Sequence, residues 1–359
     1  MTDIAVREIS KDEKSPLAQM VSMNHEQVLF CQDRATGLKA IVAVHNTTLG
    51  PALGGTRMWN YKSEADALTD VLRLSRGMTY KNSISGLDLG GGKAVIIGDS
   101  YTQKNEALFR RFGQFVESLS GKYITAEDVG ISPQDMVWVN KETNHVAGLP
   151  GKSGDPSPVT AYGVYVGMKA CAKAQFGSDS LAGKKVAVQG AGHVGQYLIK
   201  HLNDEGAEIF VTDIHEPSLK EVSDKYNAKI VGLDEIYDID MDIYAPCALG
   251  ATVNNDTLER LKCSIIAGAA NNQLQNEVIH GKAVMDKGII YAPDYMLNAG
   301  GVINCFAEVA DRSAEWAMEK AGQIYDTTLN IINGSKENNI PTYAIANKMA
   351  EERIKSALK

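Results

Sequence analysis

Val186-Ala187-Val188-Gln189-Gly190-Ala191-Gly192-His193-Val194-Gly195 decides how this chain is read, because an apolar strand runs straight into G-x-G-x-x-G and on into a helical pattern. The first glycine permits a tight turn, the second lets the backbone approach a pyrophosphate, and the third lets helix and strand pack closely, with the helix N-terminus facing the phosphates. A second strand, Glu208-Ile209-Phe210-Val211-Thr212, ends at Asp213, 18 residues beyond Gly195. An acid there accepts hydrogen bonds from both ribose hydroxyls and repels the extra phosphate of NADP. The pattern predicts an NAD site with Gly190, Gly192, His193, Val194 and Gly195 at the pyrophosphate and Asp213 at the ribose. Some 180 residues precede it and need a task of their own.

Length and composition frame that task. A chain of 359 residues predicts two domains, since single cores rarely grow past roughly 250 to 300 residues. Hydrophobic residues at 44% against 22% charged are ordinary for a water-soluble globular protein, and no segment reaches the ~18 uninterrupted apolar residues of a membrane span. A net charge of −8 without long basic runs argues against nucleic acid or an anionic membrane as partner and leaves small molecules as the expected ligands. The polar, mixed-charge start, Met1 to Lys14, reads as neither signal nor transit peptide, so a cytoplasmic protein with a frayed start is expected. Cys31, Cys171, Cys247, Cys263 and Cys305 are odd in number, scattered and free of C-x-x-C, which disfavours disulfides and structural zinc. No metal site is expected.

The fold class predicted is α/β, an N-terminal mixed α/β substrate domain followed by a doubly wound parallel-sheet Rossmann domain. Residues 27–33 and 38–46 read as two strands linked through Thr36-Gly37, and a further strand is expected at Lys93–Gly98. Ser63-x-x-Asp66 opens a capped amphipathic helix through Leu68, Val71, Leu72, Ser75 and Met78, and Leu108, Phe109, Phe112, Phe115, Val116 and Leu119 form another. Ser153-Gly154-Asp155-Pro156-Ser157-Pro158 is the hinge candidate, dividing a domain of residues 1–152 from one of 153–338. Beyond it come a long helix from Val159 to Phe176 and strands at 185–189, 208–212, 229–231, 241–245, 264–268 and 289–291. Helices are expected from Glu315 to about Ile332 and from Tyr343 to Ala357, the last returning, within 339–359, to the first domain.

Lys93 follows Gly90-Gly91-Gly92 directly, with Lys81 twelve residues earlier at the end of the capped helix. A G-x-x-x-x-G-K-[ST] loop is excluded because position 87 is Leu and position 94 is Ala. Standing alone, a lysine after glycines is more often a solvated surface residue than a catalytic one.

Seven stretches taken together change that weighting. Gly50-Pro51-Ala52-Leu53-Gly54-Gly55-Thr56-Arg57, Met78-Thr79-Tyr80-Lys81, Gly90-Gly91-Gly92-Lys93, Thr125-Ala126-Glu127-Asp128-Val129-Gly130, Ala245-Pro246-Cys247-Ala248-Leu249-Gly250, Ala270-Asn271-Asn272-Gln273 and Asn298-Ala299-Gly300-Gly301 resemble, in order, the glutamate/leucine/phenylalanine/valine dehydrogenase family, most closely its leucine-acting branch. The resemblance spans roughly residues 24 to 356. It implies a substrate domain, then a dinucleotide domain, with a catalytic cleft between them that closes over the hinge and expels water. Lys81 would hold the substrate carboxylate, Lys93 would act as general base on a water, and Asp128 would exchange a proton with the substrate nitrogen. A lysine titrates near 10.4, so a base working near neutrality needs that value depressed by burial or a second cation. Asn271 would serve the nicotinamide or its ribose, Asn272 the substrate, and Thr160 the carboxamide; a polar turn and a helix cap are the plainer roles for these residues.

The same resemblance bears on substrate choice. Gly54, Gly55 and Met78 fall in the substrate pocket, and glutamate-specific relatives carry a lysine where this chain has Leu53, so a side-chain carboxylate would find no partner. Aromatic-specific relatives have glycine where Ala126 stands, and the extra methyl shortens the pocket. Val302 and Cys305 would form the far wall, Cys305 replacing the usual valine. The expectation is NAD-dependent, reversible oxidative deamination of L-leucine and other branched-chain L-amino acids by a homo-oligomer, an octamer by resemblance. The alternatives are a phenylalanine or tryptophan dehydrogenase and a non-catalytic NAD-binding sensor.

Overall fold

The computed structural model describes residues 15–152 and 154–358, so the expectations for the N-terminal residues 1–14 and for Ser153 at the hinge lie outside the described residues. The described residues divide into two compact units: residues 15–83, 88–152 and 357–358 form one, and residues 84–87 and 154–356 the other.

The first unit opens with α1 (Pro16–Met23), whose N-cap Ser15 accepts from the Ala18 amide, and a hairpin of β1 (Gln27–Asp33) and β2 (Leu38–Asn46) that turns at Gly37 with φ +74°. There follow β3 (Ala52–Trp59), α2 (Glu64–Ile84), β4 (Gly90–Ile97), α3 (Glu106–Glu117), β5 (Tyr123–Glu127) and α4 (Pro133–Asn140). The five strands lie in the order β1-β2-β4-β3-β5, the first two pairings antiparallel and the β4–β3 and β3–β5 pairings parallel.

Strand alternation gives the sheet two faces. On one, Ala52, Met58, Ala94, Ile96 and Tyr123 pack with Phe109, Phe112 and Val116 of α3 and Met136 and Val139 of α4. On the other, Ile41, Ala43 and Val95 pack with Ala67, Leu68, Val71 and Leu72 of α2. Each fully buried Val, Leu, Ile, Phe or Met contributes roughly 1.5–3 kcal/mol, so both layers hold by their apolar stripes.

Two expectations need correction here. β4 begins at Gly90 rather than at Lys93, so the three glycines lie inside the strand and Lys93 is mid-strand. β3 has no counterpart in the sequence reading, because Gly54-Gly55 interrupts the run of β-formers. Those glycines are required by close approach: a Cβ on Gly54 would lie 1.8 Å from the Gly92 carbonyl oxygen and one on Gly55 2.3 Å from that of Glu127.

The second unit begins with α5 (Ser157–Phe176), closed by Gly177 at φ +79°. The alternating run is β6 (Lys185–Gln189), α6 (His193–Asp204), β7 (Glu208–Thr212), α7 (Glu216–Tyr226), β8 (Lys229–Ile230), β9 (Ile243–Pro246), α8 (Asn255–Arg260), β10 (Ile265–Ile266), α9 (Glu277–Asp286) and β11 (Ile290–Tyr291). All six strands are parallel, in the order β11-β10-β9-β6-β7-β8, which is the doubly wound Rossmann order with its switch point between β6 and β9. Val186, Ala187 and Val188 of the central strand are fully buried, as helices on both faces demand. β10 and β11 are shorter than the apolar runs that announce them.

After α10 (Asp294–Leu297) the chain is helical: α11 (Gly300–Val309), α12 (Ala314–Gly322), α13 (Ile324–Asn338) and α14 (Thr342–Ala357). The single helix expected over 315–332 is thus two, parted at Gln323 and prolonged to Asn338. The last helix differs from expectation as well. Through Ser356 it belongs to the second unit, where the Tyr295 hydroxyl donates to Asn347 Oδ1 at 2.8 Å and Ile345, Ala346 and Ala350 are buried. Among the described residues no helix is long and apolar enough to cross a membrane, and no group of three or more His, Cys, Asp or Glu is placed to hold a metal.

Candidate active site

Pairing register places a set of functional side chains on the α2 face of the first sheet. Leu53 pairs with Gly91 and Ile124, Gly55 with Ala126, and Lys93 with Ala43, so Leu53, Gly55, Lys93 and Ala126 share that face. A Cβ on Gly91 would lie 2.1 Å from the Thr79 amide nitrogen, which shows how tightly β4 is pressed to α2. Lys81 and Lys93 each stand two residues beyond that contact, Lys81 half-buried in the last turn of α2. Met78 sits one turn earlier, its Cγ 3.2 Å from where a Gly54 Cβ would be. Any side chain on those glycines would collide with the backbone that floors this candidate site.

At its centre Lys93 Nζ donates to Asp128 Oδ2 at 2.9 Å, and Arg57 Nε donates to the same oxygen at 2.9 Å. Only 7% of the Lys93 side chain and 24% of that of Asp128 is exposed, so the pair is largely out of water. Burial pushes the Lys93 ammonium below its ordinary value, and the Asp128 charge offsets only part of that. Burial also acts to raise Asp128, but the Lys93 and Arg57 cations outweigh it and hold the carboxyl below its usual range. A buried lysine of lowered pKa beside an ionised aspartate is suited to move protons between a water and a nitrogen. Leu53 and Ala126 are buried beside it and offer apolar surface with no charge partner.

The second unit presents the dinucleotide elements at the carboxyl ends of its strands, outside the switch point. Gly190 has φ +116°, and a Cβ there would lie 2.9 Å from Ala248 N; one on Gly195 would lie 2.1 Å from the Gly190 carbonyl oxygen. These two glycines serve turn and packing. A Cβ on Gly192 meets nothing within 4 Å, and α6 begins there with no side-chain cap, so the first-turn amides face open space as a pyrophosphate requires. His193 is exposed and Val194 half-buried in that turn. Asp213, at the end of β7, accepts from the Ala191 amide at 2.6 Å and from the His215 amide at 2.8 Å, which ties the acid to the glycine loop.

The remaining candidates lie on the Asn271-Asn272 loop and on helices α5 and α11. Asn271 Oδ1 accepts from Asn298 Nδ2 at 2.7 Å, and Asn272 is exposed at φ +52° with its carbonyl held by the Ala251 amide. Thr160 Oγ1 donates to the Pro156 carbonyl at 2.9 Å in the first turn of α5, so it is not the cap of that helix. Val302 and Cys305 stand one turn apart on one side of α11, the first buried and the second half-buried.

Residues 25–145 match the Glu/Leu/Phe/Val dehydrogenase dimerisation domain, and residues 151–215 and 210–359 match the glutamate/leucine/phenylalanine/valine dehydrogenase domain. The chain belongs to the glutamate/leucine/phenylalanine/valine dehydrogenase family. It is 56% identical to a leucine dehydrogenase of Thermoactinomyces intermedius over 93% of this chain and 92% of that one, and 55% identical to that of Geobacillus stearothermophilus over 95% and 93%. Among solved structures it resembles L-tryptophan dehydrogenase from Nostoc punctiforme with a TM-score of 0.86 at 45% identity, covering 95% of this chain and 99% of that one. It is an amino-acid dehydrogenase, and its Rossmann domain implies a nicotinamide cofactor.

Within this dehydrogenase, sequence reasoning gave no role to Arg57, Asp70, Tyr61 or Asp294. Arg57 Nη1 donates to Asp70 Oδ2 at 3.1 Å, and the Tyr61 hydroxyl donates to the same oxygen at 2.6 Å. Buried Asp294 accepts from the Gln273 amide at 2.8 Å and pins the Asn271-Asn272 loop. Arg57 closes a quoted motif, and that was its only visible signal. The others depend on contacts between elements.

Proposed function

We propose that this dehydrogenase uses NAD to convert L-leucine and other branched-chain L-amino acids, reversibly, to 2-oxo acids and ammonia. The observation that carries the reading is the buried Lys93–Asp128 pair at 2.9 Å, set beside Leu53, Gly55 and Ala126 on one sheet face. Overall, amino acid, NAD⁺ and water give 2-oxo acid, ammonium, NADH and a proton. The bound nicotinamide supplies the acceptor for the hydride leaving Cα. This chain's residues do the rest. Lys81 holds the substrate carboxylate; neutral Lys93 takes a proton from the water that adds to the imine carbon; Asp128 passes a proton to the departing nitrogen.

Substrate choice follows from charge and volume. A glutamate side chain would bring an unpaired carboxylate against Leu53 at a cost of several kcal/mol, about a thousandfold or more in rate. The Ala126 methyl, on the pairing row of Gly55, shortens the space for an aromatic ring. We assign Met78, Asn272, Val302 and Cys305 to contact with the substrate, and Thr160 and Asn271 to the nicotinamide end of the cofactor. Single methylenes are worth about 1–3 kcal/mol, so leucine, isoleucine and valine are all accepted. Asp213 disfavours the 2′-phosphate of NADP, and Gly190, Gly192, His193, Val194 and Gly195 receive the pyrophosphate.

Initial rates of NADH formation on leucine, isoleucine, valine, phenylalanine, tryptophan and glutamate test the proposal. The branched-chain substrates are expected to lead by at least tenfold. Faster turnover on phenylalanine or tryptophan would overturn the pocket assignment, and no turnover on any would leave an NAD-binding sensor.

A further inference from the structure

Four ionised side chains form an alternating chain across the first unit: Lys93, Asp128, Arg57 and Asp70, joined at 2.9, 2.9 and 3.1 Å. They come from β4, the loop after β5, β3 and α2, so this line of charges exists only in the folded sheet. We propose that Arg57 is a positioning residue for the reaction, the standing counter-ion of Asp128 that lets Lys93 lose its proton, and that Asp70 fixes Arg57 in that place. The inference rests on the general-base reading of Lys93 given above.

As a general base, Lys93 faces a difficulty. A buried ammonium closed on a carboxylate at 2.9 Å is a stable ion pair, and the pairing opposes release of the very proton a base must lose. If Lys93 were the sole partner of Asp128, its deprotonation would strand a carboxylate with only 24% of its side chain exposed. Arg57 removes that penalty. Its guanidinium stays charged throughout the working range and already bonds the same oxygen, Oδ2, so Asp128 remains paired whichever form Lys93 takes. Its positive charge also disfavours a second cation nearby, which acts on Lys93 in the same direction as burial.

Geometry explains why Arg57 does not wander. Asp70 Oδ2 holds Nη1 from the helix side while also accepting the Tyr61 hydroxyl at 2.6 Å, and only 24% of the Arg57 side chain is exposed. With Nε on Asp128 and Nη1 on Asp70, the planar fork is fixed at two points. Both bonds from cations fall on Oδ2 of Asp128, which orients the carboxylate so that Oδ1 is the oxygen offered to the substrate nitrogen.

The test is the pH dependence of kcat/KM with leucine and NAD, read at its acidic limb, where Lys93 must lose its proton. Arg57→Gln removes the competing cation and is expected to move the limb upward by about one unit, an approximately tenfold loss at pH values below it that recovers at high pH. Arg57→Lys should fall between parent and Arg57→Gln, and Asp70→Ala, which releases Arg57 from its place, should move the limb the same way as Arg57→Gln but by less. A purely structural role gives a loss of equal size at every pH; that result, or an unmoved limb in soluble Arg57→Gln and Arg57→Lys proteins with parental melting curves, overturns the proposal. Lys93→Ala separates the two readings. If it retains parental turnover the base assignment fails first, and if it is inactive while the Arg57 profiles parallel the parent, only the role of Arg57 fails.

Discussion

Lys93 acquires its chemistry from burial, on a strand whose three glycines let it pack hard against α2 and the neighbouring strands. Because a Cβ on Gly91 would meet the Thr79 backbone at 2.1 Å, Gly91→Ala must force α2 away from β4. We expect a loss of about 1–3 kcal/mol in stability by urea unfolding, together with a rise in KM for leucine as Lys81 and Lys93 move apart. An unchanged midpoint and KM would contradict the close-packed floor described here. At this scale the sequence was legible in part. Lys81, Lys93 and Asp128 were singled out through family resemblance, whereas spacing alone left Lys93 a surface residue. Arg57, Asp70 and Tyr61 were not legible, because an ion pair between residues 71 positions apart, as Arg57 and Asp128 are, has no periodic signature.

Among the elements, β6 and α6 show how one motif divides its labour. Gly195→Ala would place a methyl 2.1 Å from the Gly190 carbonyl and should destabilise the Rossmann unit, while Gly192→Ala meets only open space. The latter is therefore expected to melt within a degree or two of the parent and to bind NAD at least about tenfold more weakly by calorimetry, since the methyl occupies the place of a phosphate. Equal NAD affinity in Gly192→Ala would contradict the assigned pyrophosphate cradle.

A second prediction at this scale concerns the packing of α1, β2 and α2. His25 and His45 stack edge to face with centroids 4.7 Å apart, His25 bonding Ser75 Oγ at 2.8 Å and His45 bonding Thr79 Oγ1 at 2.8 Å. Burial, with the neighbouring Arg76 charge, pushes His25 down to about 4, and burial and the adjacent His25 ring push His45 down to about 3. The unfolded chain binds these protons below about 6.5 while the folded chain refuses them, so stability is complete above that pH and declines as pH falls toward 4 and then 3. The decline should reach a few kcal/mol, and His45→Gln, which keeps a hydrogen-bonding side chain without a titrating ring, should flatten it. A pH-independent unfolding free energy between 7 and 4 would contradict this account. The strands and helices themselves were largely legible from periodicity. β3 was hidden by Gly54-Gly55, and the break at Gln323 by an uninterrupted helical pattern.

For the whole molecule, the order of the two units was legible because only one glycine motif follows an apolar strand and precedes an amphipathic helix. The allegiance of α14 was not, since Ile345, Ala346 and Ala350 form an apolar stripe that either unit could cover. Light scattering should return an integer multiple of the chain mass greater than one, with an octamer as the expected assembly; a monomer active on leucine would contradict the oligomer we infer. The account turns most on Lys93 as the proton acceptor. NADH formation from L-leucine by Lys93→Ala at saturating NAD measures this directly: turnover should fall by at least about a thousandfold, and a rate within tenfold of the parent would contradict the mechanism.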